Sequence, residues 1–265
     1  MPLRETAAPN TPPEGPGILA AICREAGATP YILDLNAYRI KDDKAVRLGL
    51  PNGRHLSFSE AENLFTKHLQ NCGDQDIVAF SGKITTLRWQ EKMAQIVRRL
   101  QPNCFLVTGN GLATEIKEGL FNWIPELDAV ARSEGDGIIL DILRDVKSLE
   151  AGISPEKVSS YLGFFDGKAR FKYEGNRPSD LDELPYAALD LLEKDPYGEN
   201  LLEKYINVPV WGVEANNSSA ASFNIKRSLT TVSSRGCPYA CTFCYRGAQG
   251  ERNYGMRSPD HIARQ

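Results

Sequence analysis

Cys237, Cys241 and Cys244 lie within one eight-residue run, Cys237-Pro238-Tyr239-Ala240-Cys241-Thr242-Phe243-Cys244. Thiolates are soft ligands, and three on one short loop suit an iron–sulfur cluster. A 4Fe-4S cluster normally takes four protein ligands, so one iron here would stay open to another molecule. Two plainer readings stand beside this one. The thiols could belong to a zinc site completed from elsewhere, since structural zinc takes four ligands, or they could be reduced bystanders. No CxxC partner occurs elsewhere, and the only histidine that follows is His261. Disulfides are not expected: no signal-peptide pattern is read, and six Cys in 265 residues is a low density for a disulfide scaffold.

The elements that must position this loop read as follows. Leu229-Thr230-Thr231-Val232 looks like a strand leading into it, and Ser258-Pro259-Asp260 like the start of a helix behind it. Upstream, residues 1–16 are Pro-rich, Ile18 to Ala26 is apolar at helical spacing up to Gly27, and Tyr31 to Leu35 reads as a short buried strand. Ser59 with Glu62 reads as a capping box opening a helix to about Asn71. Strands are expected at 76–81, 104–108 and 128–131, with helices at 87–100, 113–121 and 138–149. That alternation implies a parallel sheet with helices on both faces, with strand-end glycines gathered at its carboxyl edge. A hairpin turning at Asp166-Gly167 covers 161–173, and an acidic connector with a short helix, Ala187 to Glu193, follows.

Composition is that of a globular chain, 42% hydrophobic and 25% charged, with a net charge of −3. Nothing global points to nucleic acid, and no apolar run approaches the ~18 residues of a membrane span. Charge is uneven: residues 180–203 carry eight acids and one Lys, residues 226–265 seven Lys or Arg and two acids. The first reading of such runs is a solvated face; the other is a basic surround for anionic groups.

The CxxxCxxC run, with Ser233-Ser234-Arg235-Gly236 before it and Tyr245-Arg246-Gly247 after it, resembles that of the radical S-adenosylmethionine (radical-SAM) enzymes. The upstream half resembles the cobalamin-binding domain of the cobalamin-dependent members. The matching residues are Pro16 to Ala21, Asp76 to Ser81, Gly109-Asn110-Gly111-Leu112-Ala113-Thr114, Ser133-Glu134-Gly135-Asp136, and the linker from Asp180 to Leu192. The resemblance implies an α/β Rossmann-like (flavodoxin-like) parallel-sheet domain over 1–150 and a hairpin and acidic linker over 151–226. Residues 227–265 would then begin a radical-SAM (β/α) barrel. It also implies a 4Fe-4S cluster on Cys237, Cys241 and Cys244, with Phe243 beside the cofactor. S-adenosylmethionine would bind the open iron and be cleaved to a 5′-deoxyadenosyl radical. Cobalamin would lie against Ser81, Gly109, Gly111, Glu134 and Gly135, where small residues and free N–H groups admit its nucleotide tail. The plainer reading of Gly109 and Gly111 is a tight turn of any Rossmann-like fold.

The expected activity is methyl transfer to a small-molecule substrate in the cytoplasm, with an electron donor such as a flavodoxin or ferredoxin and neither nucleic acid nor membrane as partner. Departures from the pattern are the Asn110 and Leu112 positions and the absence of a DxHxxG loop; His55 and His68 read as surface histidines. Only 21 residues follow Cys244, so the sequence reads as the front of a longer enzyme, not catalytically complete by itself. Two rivals are carried. In a methylthiotransferase, a second cluster would sit on three upstream Cys; Cys23, Cys72 and Cys104 instead read as core thiols. The other rival is a non-catalytic cobalamin-binding module.

Overall fold

A computed structural model describes residues 11–49, 53–206, 227, 229–239, 241–242 and 254–264. The chain divides into two compact units. One comprises residues 1–17, 31–71 and 187–232, the other residues 18–30, 72–186 and 233–265.

The first unit is tied together by polar pairs. It holds the start of helix α1 (Glu14–Glu25), the short α2 (Asp43–Arg47), most of α3 (Phe58–Cys72) and α8 (Leu201–Ile206). The expected strand at Tyr31–Leu35 is not formed; the segment runs into a 3-10 turn, Leu35–Ala37. Asp34 drives this, accepting a hydrogen bond from Asn36 N at 2.9 Å and another from the Tyr205 hydroxyl. Tyr38 donates to Asp195 at 2.5 Å. Burial and these carboxylates push both phenols well above the ordinary tyrosine range. The expected helix at Ala187–Glu193 is a 3-10 turn, Leu189–Leu192. Gly17 lets this segment lie close: a Cβ there would sit 2.9 Å from Ala187 Cβ, and Ala188 N donates to Gly17 O at 2.9 Å.

Helix α3 does begin at a capping box, but two residues earlier than expected. Ser57 N donates to Glu60 at 2.8 Å, and Glu60 N donates back to Ser57 Oγ at 3.3 Å. Arg54 selects this register by gripping both Glu60 oxygens, at 2.6 and 2.8 Å. We expect Ser57→Ala to cost about 1 kcal/mol in denaturant unfolding. The hydrogen bonds from Arg54 and then Ser57 hold the Glu60 carboxyl down at about 2. Its folded value lies below the free glutamate value of about 4.3, so the clasp contributes fully above that pH and fades as pH falls toward 2.

The second unit carries the sheet. Its strands run in the order β1 (Ile77–Ser81), β2 (Phe105–Gly109), β3 (Ala129–Ser133), β5 (Lys168–Gly175) and β4 (Tyr161–Phe165). β1, β2, β3 and β5 are parallel neighbours, and β4 is antiparallel to β5. The fold is therefore α/β with a mostly parallel five-stranded sheet. Helices α4 (Leu87–Leu100), α5 (Asn110–Ile116), α6 (Leu120–Trp123) and α7 (Gly135–Glu150) fill the crossovers. The strands step one way across the sheet. The order reversal that marks a switch point in doubly wound sheets does not occur among the described residues.

Apolar runs explain the strands. Leu106, Val107, Ala129 and Val130 are at most 2% exposed, and Met93, Ala94, Val97, Leu112, Ala113, Ile138 and Ile142 on the helices are buried as well. Thr108 is the polar exception in β2, and it donates to buried Gln90 of α4 at 2.6 Å. The hairpin turns at Asp166 and Gly167, as expected, with φ of 48° and 75°. At the amino edge, Asp128 accepts from Leu106 N at 2.7 Å and pairs with Lys168 at 2.5 Å and with Arg98.

The segment around the cysteine run differs from the expectation. The strand is not Leu229–Val232 but β6 (Ser234–Gly236), and it pairs antiparallel with β7 (Tyr254–Met256). Glu14, only 6% exposed, accepts from Val232 N at 2.6 Å and so takes that donor out of any ladder. A (β/α) barrel is built from parallel neighbours; no such pair occurs here among the described residues. The connector packs on this end. Asp182 accepts from Ser258 N at 2.9 Å, and Ser258 Oγ caps the helix Pro259–Arg264 by accepting from His261 N at 3.1 Å.

Candidate functional site

The parallel pairing brings the predicted residues to one edge. Ser81 at the end of β1 lies in register with Gly109 at the end of β2, and Ser133 at the end of β3 with Gly175 at the end of β5. Two non-glycine residues on this edge have left-handed backbones, Asn110 at φ 70° and Ser133 at φ 65°. Asn tolerates that region, while Ser does so at some cost. Strain of this kind gathers where a fold must present backbone groups to something.

A hydrogen-bond chain joins three strand ends. Asn110 Nδ2 donates to Ser81 Oγ at 3.0 Å, Thr114 Oγ1 donates to Asn110 O at 3.0 Å, and Ser133 N donates to Thr114 Oγ1 at 3.0 Å. The Asn110 Oδ1 atom accepts from Gly111 N at 2.5 Å. Asn110 and Thr114 were not singled out as site residues in the sequence. The signal available was the departure from Gly at position 110.

The glycines of the edge do different things. A Cβ on Gly109 would make ordinary contacts, 3.7 Å from Ala131 O and 3.8 Å from Ala131 Cβ, so the fold does not require glycine there for lack of room. Gly135 is closely faced by Leu19, whose Cδ2 would lie 3.2 Å from a Cβ; its smallness serves the packing of α1 against α7. Gly175, unremarked in the sequence, admits no side chain at all, since a Cβ would overlap Glu134 O.

Glu134 and Asp136 open α7 directly after β3, and both bind Arg235. The guanidinium lies 2.6 and 3.2 Å from the two Asp136 oxygens and 3.1 Å from Glu134. Arg235 is the middle residue of β6, so the strand that leads into the cysteine run is tethered to the loop after β3. Arg177 Nη1 adds a long bond, 3.4 Å, to Arg235 O. Cys237 then lies half-buried and Cys241 exposed, both as free thiols. Phe243 and Cys244 lie outside the described residues, so the triad is not seen as a set.

Cys23, Cys72 and Cys104 differ from the loop thiols. Burial pushes all three thiols above the ordinary value, Cys104 to about 12, and so disfavours the thiolate that binds metal. Among the described residues no three His, Cys, Asp or Glu side chains come together as a metal site. We expect Ser at all three positions to leave the iron content of reconstituted protein unchanged. Loss of about half of roughly eight irons would instead place a second cluster upstream. His68, expected at the surface, is half-buried edge-on to Tyr31, with its pKa pushed down by burial. Among the described residues no helix is long and apolar enough to cross a membrane.

No family model matches the chain. It is similar to an uncharacterized methyltransferase of Pyrococcus horikoshii, 25% identical over 248 residues that cover 92% of this chain and 46% of the relative. It is also similar to the anaerobic magnesium-protoporphyrin IX monomethyl ester cyclase of Rubrivivax gelatinosus, 25% identical over 187 residues, 71% of this chain and 30% of that one. The chain thus spans less than half the length of these curated relatives.

Proposed function

We propose that this chain is the cofactor-bearing part of a cobalamin-dependent radical-SAM enzyme, most simply a methyltransferase acting on a small molecule. The observation that carries the reading is the tether at Arg235, which fastens the root of a CxxxCxxC loop to the carboxyl edge of a parallel sheet. Open α/β sheets take ligands outside the carboxyl ends of their strands; without an order reversal among the described residues, the strand-end loops would have to form the pocket here. Similarity to a methyltransferase supports the group transferred. The cyclase relative supports a second reading, ring closure on the same front half.

The sequence supplies candidate residues for both cofactors. Cys237 and Cys241 are free thiols on one loop, and with Cys244 they would hold a 4Fe-4S cluster that leaves one iron for S-adenosylmethionine. When bound, the cluster and S-adenosylmethionine supply a 5′-deoxyadenosyl radical, and cobalamin supplies the methyl group. The protein's own part is placement. Gly109 adds no side chain at the strand ends, and Ser81, Gly111 and Glu134, which in this structure bond to Asn110 and Arg235, would have to exchange those partners for the ligand. Phe243 would flank the cluster. Thiolate ligands imply a reducing compartment such as the cytoplasm, and a flavodoxin or ferredoxin would supply electrons.

The test is the electron paramagnetic resonance spectrum of reduced, reconstituted protein with and without S-adenosylmethionine. Binding at the open iron shifts the g values. A cluster spectrum indifferent to S-adenosylmethionine would remove the radical-SAM reading.

A further inference from the structure

Arg235 is held more firmly than its place beside an exposed loop requires. Its side chain is 18% exposed, and that of Asp136 is 5%. Glu134 contributes a second carboxylate at 3.1 Å. Asp136 accepts from two guanidinium nitrogens, a geometry that a lysine could not reproduce. Buried pairs of this kind contribute little net stability but are costly to break from one side, because the remaining charge is stranded. They fix one arrangement against its alternatives.

What is fixed here is the start of the cysteine loop, since Gly236 and Cys237 follow Arg235 directly. We infer that Arg235 is a positioning residue: its clamp on Glu134 and Asp136 sets where Cys237 lies relative to the carboxyl edge of the sheet, and keeps that thiol half-covered. This deepens the cluster reading and rests on it for its purpose, but the clamp itself can be measured in metal-free protein.

The experiment is alkylation of the metal-free chain by iodoacetamide, read by mass spectrometry at Cys237, Cys241 and Cys104. In the wild type the order of rates follows exposure: Cys241, then Cys237, then Cys104. Arg235→Gln strands Asp136 and is expected to speed Cys237 by about tenfold, with Cys241 within about twofold. Cys104 is 4% exposed immediately before β2, so its rate reports opening of the whole unit and is expected to stay put. The double variant Arg235→Gln with Asp136→Asn removes the buried charge, leaving only the Glu134 carboxylate, whose side chain is 36% exposed, and is expected to restore most of the protection at Cys237. In iron-loaded protein, the single variant is expected to release iron to a chelator about tenfold faster, and the double variant less so. An unchanged Cys237 rate in Arg235→Gln overturns the proposal. So does a rise at Cys237 and Cys104 together, which is general destabilisation. Protection that changes as stated in a chain that binds no iron would keep the clamp and remove the cluster.

Discussion

Replacing Cys237, Cys241 and Cys244 together by alanine is expected to take anaerobically reconstituted protein from about four irons per chain to none. The expectation rests on ligand supply. Cys237 and Cys241 are free thiols on the loop that leaves β6, whereas Cys23, Cys72 and Cys104 are held protonated by burial. No other group of three ligating side chains occurs among the described residues. Iron and sulfide analysis with the visible absorption of the cluster measures the outcome. Equal iron in the triple variant would sink the assignment, and tight zinc in the wild type would favour a structural metal.

Gly109→Val is expected to weaken retention of hydroxocobalamin at least about tenfold, or ~1.4 kcal/mol. Position 109 suits this test because a Cβ there makes only ordinary contacts within the fold. Its backbone is extended, with φ −135° and ψ −164°, and a Cβ would lie no nearer than 3.7 Å to its neighbours. Because the Val methyl groups reach beyond that Cβ, a loss reports the ligand only in protein that circular dichroism shows folded. The same change at Gly135 would be ambiguous, since Leu19 already faces it. Asn110→Gly is expected to act in the opposite sense, because it frees the Ser81 hydroxyl and clears the side chain that spans the two strand ends. With no DxHxxG loop, the cobalt(II) spectrum should lack hyperfine coupling from an axial imidazole. Equilibrium dialysis on protein shown folded by circular dichroism measures affinity. A folded wild type that retains nothing would leave a plain α/β domain, and retention indifferent to Gly109→Val would put the ligand elsewhere.

The alternation of strands and helices from Ile77 to Glu150 was legible because each element carries its own period of apolar residues, and the parallel sheet follows from that order. The hairpin was legible from Asp166-Gly167 alone. What could not be read was decided by partners distant in sequence. In Ser57-Phe58-Ser59-Glu60-Ala61-Glu62 two capping boxes overlap, and Arg54 grips the Glu60 of the first. Tyr31–Leu35 has a strand's composition, yet Asp34 and Tyr205 turn it aside, with 171 residues between those two. Glu14 does the same to Val232 from 218 residues away. At the candidate site the cysteine spacing and the strand-end glycines could be read, because loop chemistry is local. The hydrogen-bond chain through Asn110, Thr114 and Ser133 could not, since it depends on strand register.

The clamp also has a history within each molecule. Asp136 and Arg235 are 99 residues apart, which at about 5–20 residues per second is roughly 5–20 s of synthesis. Strands β1 to β3 precede Asp136 and β4 and β5 are made within that interval, so the whole sheet can form while Glu134 and Asp136 still lack Arg235. The cysteine loop comes later in the chain than the residues of its seat, and Arg235 pairs there with Glu134 and Asp136. Under the proposed cluster reading, this order would deliver the thiols to a finished edge and limit the time in which they are free to capture the wrong metal or one another.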